Sequence, residues 1–322
     1  MRATVNQGRR SFLKAGAATG GGLVIGFHLP VAASAAEAAA GPAKLNAYVK
    51  VGTDNRVTFV CGQVEMGQGV HTVLAQVVCE ELGRYGIDLH RVRVQVDTNR
   101  EFGTGQTTAS RGTFLGGLAA KRACEQLKAR LDGRSLQDLA GEEFTGEVTF
   151  TLTQPMGDPH LQRSHICYGW GVQVAVLDDD GKIAKFIAAH DVGKVMNRTL
   201  LEGQIEGSVH MGLGHALSEE FLVEGGYIKT PTLKSQGIIP ATGMPPVECI
   251  FIEEPQPEGP YGAKGVGEIG LVPTASAVAG AVRAFDGRWR NRLPMKNSAA
   301  ARAANPKAVA PKRATPRSNP QP

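Results

Sequence analysis

Residues 56–84 read RVTFVCGQVEMGQGVHTVLAQVVCEELGR. The first six residues alternate and are rich in β-branched and aromatic side chains, which predicts a strand from Arg56 to Cys61. From Thr72 the apolar residues recur at helical spacing, which predicts an amphipathic helix to Arg84. The link between them, Glu65-Met66-Gly67-Gln68-Gly69-Val70-His71-Thr72, is a glycine-rich turn feeding a helix start. Glycines let a ligand approach the backbone, and unpaired N–H groups at a helix start carry partial positive charge that suits an anion.

Working outward, Leu45–Val51 pairs with Arg56–Cys61 as a hairpin around Thr53-Asp54-Asn55, Arg91–Val96 is a short strand, and Thr113–Leu131 is an amphipathic helix. A second block follows Pro155: strands at Gly169–Leu177 and Ile183–Ala189 around Asp178-Asp179-Asp180-Gly181, a glycine-interrupted helix over Leu200–Glu219, a strand at Glu248–Ile252 and a helix over Val272–Phe285. Strands and helices interleave without a strict βαβ repeat, which predicts an α+β fold of two mixed sub-blocks. The expected boundaries are 1–35 for an export signal, 36–150 and 151–293 for the two blocks, and 294–322 for a basic, Ala/Pro-rich, solvated tail.

Charge is distributed unevenly along the 322 residues. The formal net charge is +5, yet residues 283–322 hold ten Lys/Arg against Asp286 alone, and residues 1–14 hold four basic residues and no acidic one, so the span 15–282 is net acidic. An acidic body gives no general reason to bind nucleic acid. The five cysteines, Cys61, Cys79, Cys124, Cys167 and Cys249, form no C-x-x-C pair, which excludes zinc-ribbon and thioredoxin spacings. At the N-terminus Arg9-Arg10-Ser11-Phe12-Leu13-Lys14 precedes a Gly/Ala-rich apolar stretch and the small-residue site Ala33-Ser34-Ala35. That order predicts a twin-arginine signal and a periplasmic mature chain, and the stretch is too short and glycine-rich for a transmembrane anchor.

Two further turns resemble the first. Gly105-Gln106-Thr107-Thr108-Ala109-Ser110-Arg111-Gly112 adds hydroxyls and a guanidinium before a helix, and Gly262-Ala263-Lys264-Gly265-Val266-Gly267-Glu268-Ile269-Gly270 holds one carboxylate among glycines and small residues. Each alone reads as an ordinary tight turn; three in one small domain point to a polar ligand that takes many donors. The Gly265-x-Gly267-x-x-Gly270 spacing is formally a dinucleotide fingerprint, but it follows Gly259-Pro260-Tyr261 rather than a strand, and Asp286 comes too early for the ribose-binding acid. His160 with His165, and His190 with Asp191, could suggest a metal pair; no third ligand stands at a recognisable spacing, so structural roles are favoured.

The order of Glu65-Met66-Gly67-Gln68-Gly69 with His71-Thr72, Ala109-Ser110, His190-Asp191-Val192-Gly193, Gly203-Gln204-Ile205-Glu206-Gly207 and Gly265-Val266-Gly267-Glu268 resembles the molybdenum-binding subunit of the xanthine dehydrogenase/aldehyde oxidase family over residues 45–287. With the twin-arginine start, it is most similar to periplasmic isoquinoline 1-oxidoreductase-type and aldehyde-oxidising members. The resemblance implies a molybdopterin cofactor, in plain form or as the cytosine dinucleotide, whose metal takes no protein ligand. It assigns cofactor contacts to Gly67, Gln68, Gly69, Ala109, Ser110, Gly112 and Gln204. It makes Glu268 the catalytic base in hydroxylation of an aldehyde or N-heteroaromatic compound with water-derived oxygen, and a carboxylate in an apolar glycine loop is expected to have the raised proton affinity such a base needs. Electrons would leave to a separate 2Fe-2S subunit, since these cysteine spacings cannot ligate a cluster.

Against the family pattern, a Gly-Gly-Phe-Gly-Gly-type segment and about half of the molybdenum domain are absent. The stretch 131–150 is either a natural short connection or the scar of a lost middle region. A second chain would then supply the missing wall, or the protein is a remnant that binds a partner or molybdopterin without turnover.

Overall fold

The computed structural model describes residues 43–100, 107–150 and 165–309, all within one of two compact units. Alternation sets the first block. In β1 (Ala43–Val51) Leu45, Ala47, Val49 and Val51 are buried, while Asn46, Tyr48 and Lys50 face away. β1 pairs antiparallel with β2 (Val57–Val60) through the expected hairpin, where Asn55 takes a left-handed conformation (φ 60°) and the Asp54 carboxylate accepts the Arg56 N–H. β3 (Val92–Gln95) runs parallel to β2, so a crossover is needed, and helix α1 (Val70–Leu82) lies in it with Leu74, Val77, Val78 and Leu82 buried.

The stretch 131–150 folds as a continuous connection. Helix α2 (Gly117–Leu131) ends at left-handed Asp132 and Gly133, a single turn at Leu136–Leu139 opens with a Ser135/Asp138 capping box, and β4 (Glu143–Phe150) follows. β4 pairs antiparallel with β1 from Lys50↔Glu143 to Ala43↔Phe150, giving the order β3-β2-β1-β4. Phe144, Val148 and Phe150 join the core beneath α1 and α2.

In the second block β5 (Gly171–Leu177) and β6 (Ile183–Asp191) form the expected hairpin, and β9 (Val247–Ile252) runs parallel to β6, for the order β5-β6-β9. A small hairpin, β7 (Val223–Glu224) with β8 (Tyr227–Ile228), stands apart. Helices α3 (Arg198–Leu217) and α4 (Thr274–Asp286) bury Ile205, Val209, Leu213, Val278 and Val282 against Phe186 and Ala188 on one face of the sheet. On its other face Val172, Val174 and Val176 of β5 and Ile250 and Ile252 of β9 are exposed, with Trp170 beside them.

The solvated tail expected from residue 294 does not begin there. Met295, Ala300 and Ala301 are buried in the second core, Ser298 caps helix α5 (Ala299–Ala304), and the Asn305 amide donates to the Gly237 and Ile238 carbonyls at 3.0 Å. An alanine run behind a serine cap is a good helix even without long apolar side chains, and small residues suffice where the packing is close. The expected signal at 1–35 and the residues 310–322 lie outside the described residues. Among the described residues no helix is long and apolar enough to cross a membrane.

Candidate functional site

The first glycine turn is closed on itself. Glu65 Oε1 accepts the N–H groups of Gly67 (2.8 Å) and Gly69 (2.9 Å), and its Oε2 accepts that of His71 (3.0 Å). Gly67 (φ 98°) and Gly69 (φ 80°) adopt backbone that favours glycine, which aims those N–H groups at one carboxylate. Desolvation acts in the opposite sense, but the three N–H donors hold the Glu65 carboxyl below the ordinary range. The expectation that these N–H groups stand free for a ligand anion is therefore corrected: an internal carboxylate already fills the nest. What the turn presents outward is Gln68, whose amide is locked by Nε2 donating to the Val64 carbonyl (2.8 Å) and Oε1 accepting the Met66 N–H (2.6 Å).

The second and third turns meet. Ala109 (φ 54°) and Ser110 (φ 51°) are consecutive non-glycine residues in left-handed backbone, a conformation that persists only when the surroundings fix it. The Ser110 hydroxyl accepts the N–H groups of Gly267 (3.0 Å) and Glu268 (3.1 Å) and donates to the Glu268 carboxylate, 158 residues away in sequence. A Cβ on Gly265 would overlap the Ser110 carbonyl, and one on Gly267 would stand 2.8 Å from the Ser110 Oγ. Close approach of two loops, rather than a dinucleotide, thus explains these glycines. After Ser110 the chain enters α2 through a π-helical turn, Gly112–Gly116, an irregularity often found at functional sites. Behind Gly112 lies the Gln63 amide, buried with neither Nε2 nor Oε1 hydrogen-bonded.

The third turn is stitched to the end of β6. The Lys194 N–H donates to the Gly262 carbonyl and the Lys264 N–H to the Val192 carbonyl, each at 3.1 Å, and the Lys264 ammonium forms a buried ion pair with Asp191. His190, fully buried, receives the Gln173 amide at Nε2 (3.0 Å), while the same amide donates to the Gly270 carbonyl (2.6 Å) and Gln173 Oε1 accepts the Thr274 hydroxyl (2.7 Å). His190 and Asp191 therefore anchor the glycine loop to β5, β6 and α4. Among the described residues no group of three or more His, Cys, Asp or Glu side chains could hold a metal ion; His160 lies outside them.

These elements enclose a cavity of about 310 Å³, at the lower end of small-molecule sites. Of the eight residues assigned by resemblance, Gln68, Ser110, Gly112, Gln204 and Glu268 line it. Gly67 and Gly69 are not in its lining; they shape the turn that carries Gln68, with Gly69 closely packed on Leu200. Ala109 is not in the lining either and, in left-handed backbone itself, precedes the strained Ser110. Lys194, Asn197 and Lys264 also line the cavity and were not singled out as site residues from the sequence. Lys264 was visible inside the third turn, but only its pairing with Asp191 shows how a buried cation is tolerated there. Glu268 stands exposed at the cavity mouth. The apolar enclosure expected around it is not provided, because its neighbours are Ser110 and the open edge of the glycine loop.

The molybdopterin cofactor-binding domain family matches residues 2–245. The chain belongs to that family. Among curated relatives, the gamma subunit of the 6-hydroxypseudooxynicotine dehydrogenase complex of Paenarthrobacter nicotinovorans is 32% identical over 288 residues, covering 77% of this chain and 36% of that protein. A putative xanthine dehydrogenase molybdenum-binding subunit of Escherichia coli is 26% identical over 284 residues, covering 75% and 37%. The solved aldehyde oxidoreductase of Desulfovibrio gigas superposes with a TM-score of 0.67 at 25% identity, covering 79% of this chain and 30% of that one. This chain thus matches a little over a third of the length of these curated relatives.

Proposed function

We propose that this protein is the molybdenum-binding component of a hydroxylase that oxidises an aldehyde or an N-heteroaromatic compound with water-derived oxygen, with Glu268 as its base. The observation that carries the reading is the junction of Ser110 with Glu268 at the mouth of a cavity lined by Gln68 and Gln204. The donor set suits molybdopterin, a polar and anionic ligand: two side-chain amides and the Lys264 ammonium converge where Gly112 leaves room. Gln68, Gln204 and Lys264 would hold it, in plain form or as the cytosine dinucleotide, with Ser110 placing Glu268 beside it. When bound, the cofactor supplies two-electron redox chemistry and activates water-derived oxygen.

This chain's own part is proton handling and orientation. The Ser110 hydroxyl fixes one Glu268 carboxylate oxygen and leaves the other to take a proton from the attacking oxygen nucleophile. The two backbone N–H groups on Ser110 hold its hydroxyl in place, so the base is aimed by the backbone of its own loop. Electrons would pass to a 2Fe-2S subunit. A second chain would enclose Glu268 and complete the pocket, which the exposed carboxylate and the bare apolar face of the second sheet support. Export through a twin-arginine signal to the periplasm belongs to the same proposal and rests on residues 9–35.

Glu268→Gln is expected to abolish turnover while molybdenum content, measured by elemental mass spectrometry, stays unchanged. Activity that survives the change would remove Glu268 from the role. The second reading is a non-catalytic half-domain, favoured by the share of the relatives' length that is matched. A molybdenum-to-protein ratio near zero, in folded protein from cells that make the cofactor, would select it.

A further inference from the structure

Of the two basic ends of the chain, residues 283–322 carry the larger charge, and residues 283–309 of that end are among those the structure describes. α4 leads into Gly287-Arg288-Trp289-Arg290-Asn291-Arg292-Leu293. Asp286, the one acidic residue from 283 onward, is fully engaged: its carboxylate takes the Arg290 guanidinium and accepts the Arg288 N–H at 3.0 Å. Arg290 also reaches the Asn297 side chain (2.9 Å), and Arg302 donates to the Asn297 carbonyl (3.1 Å), so the turn and α5 form one surface. Arg283, Arg288, Arg292 and Arg302 are exposed and form no ion pair with a carboxylate among the described residues. Between them stand apolar side chains: Trp289 is 76% exposed and Leu293 is 42% exposed. The Arg283 guanidinium lies 3.7 Å from the Trp289 ring centroid, which fixes that ring outward. Asp179 and Asp180, on the turn whose Gly181 abuts Phe285, mark the edge of this surface.

We propose that this arginine and tryptophan surface docks on anionic lipid headgroups. Arginine forks bind phosphate, and an exposed Trp with an aliphatic neighbour suits the boundary between headgroups and acyl chains, where an acidic protein segment would offer it nothing apolar. A nucleic acid fits less well. One face of Trp289 is already covered by Arg283, and an extended polyanion would run onto the acidic remainder of the molecule. A planar anionic membrane touches one face of the molecule, so it meets these arginines without running along the acidic span 15–282, and their charge would orient that face towards it.

The chain contains two tryptophans, so Trp170→Phe leaves Trp289 as the reporter. In that background, vesicles of phosphatidylcholine mixed with phosphatidylglycerol should shift the Trp289 emission to the blue and carry the protein down on sedimentation. Phosphatidylcholine alone should do neither, and added salt should release the protein. Replacing Arg288 and Arg292 together with Gln should weaken vesicle binding about tenfold or more, with an unchanged circular-dichroism melt. Equal binding to both kinds of vesicle, none to either, or full binding by the double variant would overturn the proposal. So would an emission shift with single-stranded DNA in the absence of any with vesicles.

Discussion

The two sheets differ in what they present away from their helices. On the first, Asn46, Tyr48 and Lys50 of β1 lie opposite Glu147, Thr145 and Glu143 of β4, a polar surface suited to water. On the second, Val172, Ala189 and Ile250 lie in one row across β5, β6 and β9, and Val174 and Ile187 in the next. Among the described residues of these three strands, the Lys185–Glu248 ion pair interrupts the apolar surface. Sheets covered on both faces lose the in-out alternation, and the second sheet has the composition of such a sheet. The difference separates a block whose outer sheet face is polar from one whose outer sheet face is apolar and exposed, and the apolar face belongs to the block that carries Glu268.

The strongest test of the first block is Gly146 of β4. A Cβ there would overlap the Ala119 carbonyl of α2 and stand 2.7 Å from the Ala123 nitrogen, both backbone atoms that cannot swing aside. Gly146→Val should therefore force α2 off the sheet and destabilise the chain by about 3 kcal/mol or more, read by urea denaturation. A loss under about 1 kcal/mol would mean that α2 and β4 are not in this contact.

What could be read from the sequence was local. The hairpin at 45–61, the helices and the three glycine turns follow from periodicity and turn chemistry confined to a few residues. β4 carries the same kind of alternation, with Phe144, Gly146, Val148 and Phe150 inward, but a glycine at an inward position and the puzzle of a shortened domain hid it. The site was half legible: its glycines and Glu268 stood out, whereas the filling of the first turn by Glu65 and the Asp191–Lys264 pair are matters of side-chain direction. The contact between Ser110 and Glu268 spans 158 residues, and no spacing rule reaches that far.

An intermediate effect is expected from pH, and it acts on the second block alone. Burial pushes the His190 imidazole below its ordinary value of 6.5. Its Nε2 accepts from Gln173, so a proton there would break that bond, and the nearby Asp191 is already committed to Lys264. The unfolded chain therefore binds the proton more readily than the folded one. The stability from neutral His190 is fully present above about pH 6.5 and is lost as the pH falls below it. Unfolding free energies from about pH 8 to about pH 5 should show a shallower acid slope for His190→Gln than for the unchanged protein, and parallel slopes would remove His190 from the account.

The smallest effect is the one that discriminates most between the two sheets. Val172 and Val174 point from the edge strand β5 into solvent, so in the isolated chain their substitution by lysine removes no buried contact. Val172→Lys with Val174→Lys should change its unfolding free energy by no more than about 0.5 kcal/mol, since exposed substitutions away from caps and strained backbone rarely do more. If a second chain covers this face, the same pair of lysines would bury two unpaired charges, and molybdenum loading in the assembled enzyme should fall while the free chain stays as stable as before. Stability of the free chain and loading of the assembly must therefore be measured on the same variant. A loss in both would show that the face is packed within the chain itself, and a loss in neither would leave it open to solvent in the assembly.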